Sequence, residues 1–462
     1  MTDRTDDHGP PAREAFGVLA PTVIALAVLL SAVAVVPNPS GTGTCARPWQ
    51  TDPATATPVK HLFILVKENH AFENYFGDLP GVLGYPPNGS FPTTLGGTGR
   101  VSPFPLSGGS SSDLPHDAAS DLADYNGGAN NLFVAEAAAH GVANPSDAVG
   151  YYTARQIPDY YAYATNYTLG DRFFTGVLGP TFPNRVFDIS SYVGSWNADT
   201  PPPPDVASAP TVLGQLTGAR VPWYYDYSGF PYVLTPLFFP ALSSDPCAVA
   251  RITSAGGLAS QLASAAPPSV VYLDPVNSLT YSEHPSANVT VGENWTVAAV
   301  NTIFESPIAS SSAVLIFFDE NGGFWDPVPP PDTSTGRDGF RVPFLVLSPW
   351  TPAGKVCSAP IDPAAVLRFI DENWNLPYLT PRVASAGNLS CYFDFSGTPR
   401  APLILPTNVT SAELGDAGPV PAPAGPGSIP PVGETPTRAA TWVPEPFSSP
   451  VASAARREAE GS

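Results

Sequence analysis

The chain has 462 residues and a formal net charge of −20, from 20 basic and 40 acidic side chains. That balance repels a phosphate backbone and leaves no basic stripe, which excludes DNA and RNA as partners. Charged residues are only 13% of the total and prolines number 58, as expected of a loop-rich chain exposed outside the cell.

Residues 1–14 are a short N-terminal segment. Residues 15–36, "AFGVLAPTVIALAVLLSAVAVV", are an uncharged apolar run of 22, long enough to span a bilayer as a helix. A cleaved signal peptide is the alternative, with Ala32-Val33-Ala34 as a small-residue cleavage site. Arg4 and Arg13 precede the run and lean weakly toward an internal N-terminus. The expectation is a membrane-anchored chain with its body outside the cytoplasm, or a secreted one if the run is removed. Residues 37–57 form a Pro/Thr-rich spacer, 58–410 a folded domain, and 411–462 a Pro/Ala/Gly-rich tail too poor in large apolar residues to order itself. Six glycosylation acceptors, Asn88, Asn166, Asn288, Asn294, Asn388 and Asn408, agree with an external body. The four cysteines, Cys45, Cys247, Cys357 and Cys391, contain no C-x-x-C pair and allow two disulfides in any of three pairings.

Within the folded part, four apolar runs read as buried strands: Leu62–Val66, Val270–Leu273, Val314–Phe318 and Phe344–Leu347. Helical patterns at 292–306 and 363–376 alternate with them. The expected class is therefore α/β, with three α/β/α layers and a mostly parallel central sheet.

Two of these strands end in oxygen ligands. Leu62–Val66 runs through Lys67 into Glu68 and Asn69, and Val314–Phe318 stops on Asp319 and Glu320. Burying a carboxylate costs several kcal/mol unless it is paired or holds a metal, and open α/β sheets bind ligands at the carboxyl ends of strands. Taken singly, either pair could be a helix N-cap. Together, three carboxylates and an amide call for a cation such as Mg²⁺, Ca²⁺ or Mn²⁺. A third stretch, "GDRFFTGVLGPTFPNRVF" at 170–187, puts Thr181 on a Gly/Pro-framed turn ahead of a helix. There it can cap the helix or, bound to a metal, attack phosphorus. The aromatic stretch "VPWYYDYSGFPYV" at 221–233 reads as core or lid packing before it reads as a cation cage.

The segments "VKHLFILVKENHAFENYFGDLPGV" (59–82), "IPDYYAYATNYTLGDRFFTGVLGPTFPNRVF" (157–187), "SEHPSANVTVGENWTVAAVNTIFESP" (282–307), "AVLIFFDENGGFWDPVPPP" (313–331) and "GFRVPFLVLSPWTPAGKV" (339–356), with "VLRFIDENWNL" (366–376) after them, occur in one order. In that order they resemble the phosphoesterase family of bacterial phospholipases C and acid phosphatases, whose fold is alkaline-phosphatase-like. The resemblance covers roughly residues 58–396 and implies a hydrolase of phosphate esters, phospholipids included, that uses a divalent metal (Ca, Mg, Mn or Zn). It implies that Glu68, Asn69, Asp319 and Glu320 hold the metal together with Thr181, the nucleophile. His284 and His116 take active-site histidine positions, to hold phosphoryl oxygens or protonate the leaving group. Asn184 of the Thr181 turn and His70 are assigned to the substrate.

The chain also departs from the family pattern. Asp326-Pro327-Val328 replaces a common Asp-His-Val, the histidine expected before "VLRFIDENW" is absent from "IDPAAVLRFI", and His70 and Ala71 replace an arginine and a serine. These losses leave a second expectation open, a weak or inactive surface glycoprotein that keeps the fold as a binding module.

Overall fold

The computed structural model describes residues 49–84, 89–227, 234–254, 257–275, 278–334, 336–409 and Leu414. The apolar run at 15–36 lies outside the described residues, as does the tail expected over 411–462 apart from Leu414. Among the described residues no helix is long and apolar enough to cross a membrane. Residues 49–57, read as the end of a spacer, lie along the body: Ala56 donates its N–H to the Asn373 carbonyl (2.7 Å) and Thr57 its hydroxyl to the Asn373 side chain (2.7 Å).

Eight strands build one sheet: β1 (His61–Lys67), β2 (Thr168–Gly170), β3 (Trp223–Tyr227), β4 (Ile252–Ser254), β5 (Val270–Leu273), β6 (Ser312–Phe318), β7 (Phe344–Leu347) and β8 (Lys355–Cys357). Their order is β8-β2-β7-β6-β1-β5-β3-β4. Only β7 runs antiparallel to its neighbours; every other pair is parallel. Every residue of β6, and all of β1 except His61, is buried, which explains their unbroken apolar sequences: a strand covered on both faces has no polar side to show.

The covering helices form two groups. α1 (Phe72–Phe76) follows β1; α2 (Pro158–Asn166) packs on α5 (Val289–Phe304), while α3 (Thr181–Ser190) packs with α4 (Val212–Ala219) and α6 (Pro363–Asn373). The result is the three-layer α/β/α arrangement with a mostly parallel sheet. Local chemistry sets the helix starts: Asn288 accepts the Thr290 N–H (2.9 Å) ahead of α5, and Asp362 accepts that of Ala364 (2.8 Å) ahead of α6, with Pro363 at the first helical position. A disulfide joins Cys357 at the end of β8 to Cys391.

The register positions the site. β1 lies between β6 and β5, with Lys67 level with Phe318 and Leu65 level with Leu273. Each of these three parallel strands is followed at once by a carboxylate, Glu68, Asp319 and Asp274, so all three emerge at one edge of the sheet.

Candidate active site

Two strand-end turns interlock at that edge. Asn69 has a φ of 61°, in the left-handed region that asparagine tolerates better than most residues. Its N–H donates to Asp319 Oδ1 (3.2 Å), and the N–H of Glu320 donates to the same oxygen (2.8 Å). Gly322 has a φ of 63°, and a Cβ there would lie 2.1 Å from the Asn69 carbonyl oxygen, so only glycine lets the turns touch. The Gly322 N–H holds Glu320 Oε2 at 2.6 Å.

Glu68, Asn69, Asp319 and Glu320 are all buried. Glu68 Oε2, Asn69 Oδ1 and Glu320 Oε1 are buried without a hydrogen-bond partner, an expensive condition for three oxygens in one place. Burial, and then the Asp319 charge, push the Glu68 and Glu320 carboxyls well above the usual carboxylate range. The donor set is all oxygen, a chemistry that fits a hard divalent ion.

The cluster contains a buried guanidinium. Arg185, on α3, is buried; it pairs with Glu68 and Asp274 and donates from Nε to Asp319 Oδ2 (3.3 Å). Neither Arg185 nor Asp274 was singled out in the sequence, although Asp274 follows a buried strand just as Glu68 and Asp319 do.

Thr181 opens α3 directly after Pro180 and is partly buried. Arg185 follows it one turn later, so the same helix carries Thr181 and reaches the carboxylates. Asn184 spends its side chain on this turn: Oδ1 accepts from the Val177 N–H (2.9 Å), and Nδ2 donates to the carbonyls of Gly179 (2.8 Å) and Pro180 (3.1 Å). The next free amide of the helix start, that of Phe182, donates to Asp199 (2.8 Å), another residue that sequence reasoning missed. Asp199 sits in an irregular stretch with no strand or helix to flag it.

His116 and His284 come together, with ring centroids 5.8 Å apart. His116 Nδ1 faces the Leu114 carbonyl (2.6 Å) and Nε2 faces Asn69 Nδ2 (3.2 Å), which fits a proton on Nδ1 and an acceptor at Nε2. His284 Nδ1 faces the Pro285 carbonyl (2.5 Å), and burial followed by the neighbouring His116 lowers its pKa below the usual histidine value. Asp113, His116 and His284 offer ligand atoms within 4.8 Å of one another, a nitrogen-rich group beside the all-oxygen set.

His70 lies elsewhere. It is buried among Tyr75, Tyr152, Phe318 and Phe324, with Nδ1 on Asn74 (2.7 Å) and Nε2 on the Glu283 carbonyl (2.9 Å). Burial lowers its pKa to about 3. Where the resemblance leads one to expect histidines, Asp326 pairs with buried Arg341 (2.8 Å), and Asp362 caps α6 and pairs with Arg382. Of the aromatic stretch, Trp223 and Tyr225 are core residues, Tyr225 stacking on Tyr272 with centroids 5.9 Å apart; residues 228–233 lie outside the described residues.

The profile of the Phosphoesterase family matches residues 59–377. Phospholipase C A of Mycobacterium tuberculosis is 26% identical over 441 residues, covering 80% of this chain and 82% of that protein. The non-hemolytic phospholipase C of Burkholderia pseudomallei is 26% identical over 427 residues, covering 74% of this chain and 60% of its own. Among solved structures, the lipoteichoic acid synthase LtaP from Listeria monocytogenes aligns over 71% of this chain and 76% of its own, at 9% identity and a TM-score of 0.37.

Proposed function

The chain belongs to the Phosphoesterase family and is a phosphoric ester hydrolase, and from that premise we propose that Thr181 is its nucleophile and that Glu68, Asn69, Asp319 and Glu320 hold a divalent metal. The observation that carries this reading is the orphaned buried oxygens of Glu68, Asn69 and Glu320, with Asp274 Oδ2 a fourth, at the edge where the helix opened by Thr181 meets the sheet.

When bound, the metal supplies a Lewis acid for the phosphoryl oxygens and lowers the pKa of a coordinated hydroxyl. Thr181 gives up its hydroxyl proton to water and Oγ1 attacks phosphorus in line; its P–O bond forms as the bond to the leaving oxygen breaks, giving a phosphoryl-threonine. His284 gives the leaving oxygen its proton. Water then attacks this phosphoryl-threonine, releasing the headgroup phosphomonoester from a diester substrate (phosphate from a monoester), and one of its protons restores the hydroxyl. Asn69 donates from Nδ2 to His116, keeping that imidazole in one tautomer, and Asn184 keeps the turn in shape. In place of the substrate contact expected for it, His70 anchors α1.

The substrate we propose is a phospholipid headgroup diester, since the relatives are named phospholipases C over most of this chain's length. A domain spanning 58–410 would act outside the cytoplasm, tethered by residues 15–36; the Cys357–Cys391 disulfide favours an oxidising compartment.

The test is hydrolysis of a chromogenic phosphomonoester and of phosphatidylcholine vesicles, with and without chelator, beside Thr181→Ala. Turnover that chelator abolishes and divalent metal restores, and that falls at least about 10³-fold in the variant, is the expected result. Chelator-resistant turnover rejects the metal, and a fully active variant rejects the nucleophile.

A further inference from the structure

Arg185 touches three carboxylates that belong to three adjacent strands: Glu68 after β1, Asp319 after β6 and Asp274 after β5. Two of these are the ligands assigned above; Asp274 is not. Arg185 is buried, as are all three acids. A buried charge is tolerated only when paired in good geometry, and a planar guanidinium, with five fixed donors, can hold several carboxylates at set angles where a lysine cannot. Each ligand uses one oxygen on Arg185, leaving the other for different work: Glu68 Oε2 is the orphan described above, and Asp319 Oδ1 takes the Asn69 and Glu320 amides. The same helix starts at Thr181.

We propose that Arg185, braced by Asp274, is a positioning clamp that locks the Thr181 helix to the ligand carboxylates and orients Glu68 and Asp319 for the metal. This rests on the assignment of those two residues as ligands. Asp274 fixes the far end of the guanidinium from β5, so that rotation of the side chain is blocked. Residues that orient ligands in this way typically alter metal affinity by roughly 10–100-fold when removed.

The experiment uses the full chain, stripped with chelator and dialysed, and titrated with Mn²⁺ by calorimetry. Wild type, Asp274→Asn and Arg185→Lys are compared, with melting temperature and steady-state kinetics measured on the same samples. Asp274→Asn leaves every assigned ligand in place and is the variant expected to stay folded. The expected result is Mn²⁺ binding weakened roughly tenfold or more, with kcat lowered more than KM is raised under saturating metal, and a larger loss for Arg185→Lys. Folded variants that bind Mn²⁺ with wild-type affinity and lose only melting temperature overturn the clamp and leave a purely structural ion cluster. A folded wild type that binds no Mn²⁺, Ca²⁺ or Mg²⁺ overturns the ligand assignment itself, a distinguishable failure.

Discussion

His284 is the residue whose protonation sets the expected pH profile. Burial, then the adjacent His116, lower its pKa; the Asp113 and Asp319 charges and the hydrogen bond to the Pro285 carbonyl pull the other way without cancelling the shift. A proton donor with a lowered pKa is charged only below that value. The rate therefore falls as pH rises through it, and the optimum lies on the acid side of the ordinary histidine range, about 6.5. His284→Asn should lower kcat by about 10²–10⁴-fold and flatten that descending limb. A pH–rate profile still descending in the variant would assign the proton to another group. The same scale shows what motif reading could reach: Glu68, Asn69, Asp319 and Glu320 were legible because carboxylates and an amide directly after unbroken apolar strands demand a reason. His70 was placed at the substrate because of its neighbour Asn69. Left-handed Asn69 turns the chain, and the next side chain goes into the core.

At the scale of one element, the turn before α3 depends on Asn184 as much as on its glycine and prolines. Three hydrogen bonds from one buried amide close residues 177–180. Asn184→Ala leaves those backbone groups unpaired, which costs about 1–3 kcal/mol. It should lower the melting temperature, and kcat with it, because Thr181 sits on that turn. A variant of normal stability and selectively raised KM would instead favour the substrate contact expected from the sequence. The sequence indicated that a hydroxyl stands at this helix start. It could not indicate that Asn184 faces backward along the turn, since an amide at that spacing serves either purpose.

At the scale of the whole molecule, the interior holds an unusual number of acids. Burial raises Glu293 to about 9, and Asp226 and Asp371 to about 7. A carboxyl whose folded pKa is raised contributes stability fully below its unfolded pKa and loses that contribution as pH rises through the folded value. The metal-free protein should therefore melt at higher temperature near pH 5 than near pH 8. Glu293 accepts the Tyr160 N–H at 2.6 Å, and a glutamine oxygen can do the same without titrating. Glu293→Gln should shrink the fall in melting temperature between pH 5 and pH 8 by a few degrees, given roughly 2–4 °C per kcal/mol in a large domain. An unchanged pH dependence in this variant would place the burden on the other acids. Divalent metal should raise the melting temperature of wild type in a concentration-dependent way, as any ligand of the folded state does.

By itself, the sequence determined the fold class, four strands of the sheet (β1, β5, β6 and β7) and the acidic ends of two of them. Strands buried on both faces cannot disguise their apolar runs, and a carboxylate at the end of one is conspicuous. The order of the strands, the return of β7 against its neighbours, and the meeting of Arg185 with Asp274 were decided by the tertiary structure. Those contacts join residues far apart in the chain, Arg185 and Asp274 by 89 positions and the ends of β1 and β6 by 250 at Asn69 and Asp319, and a guanidinium inside a helix motif looks the same in sequence whether it faces solvent or three buried carboxylates. Local chemistry sets which groups stand ready at each strand end; only the packing of helix on sheet selects which of them share a charge.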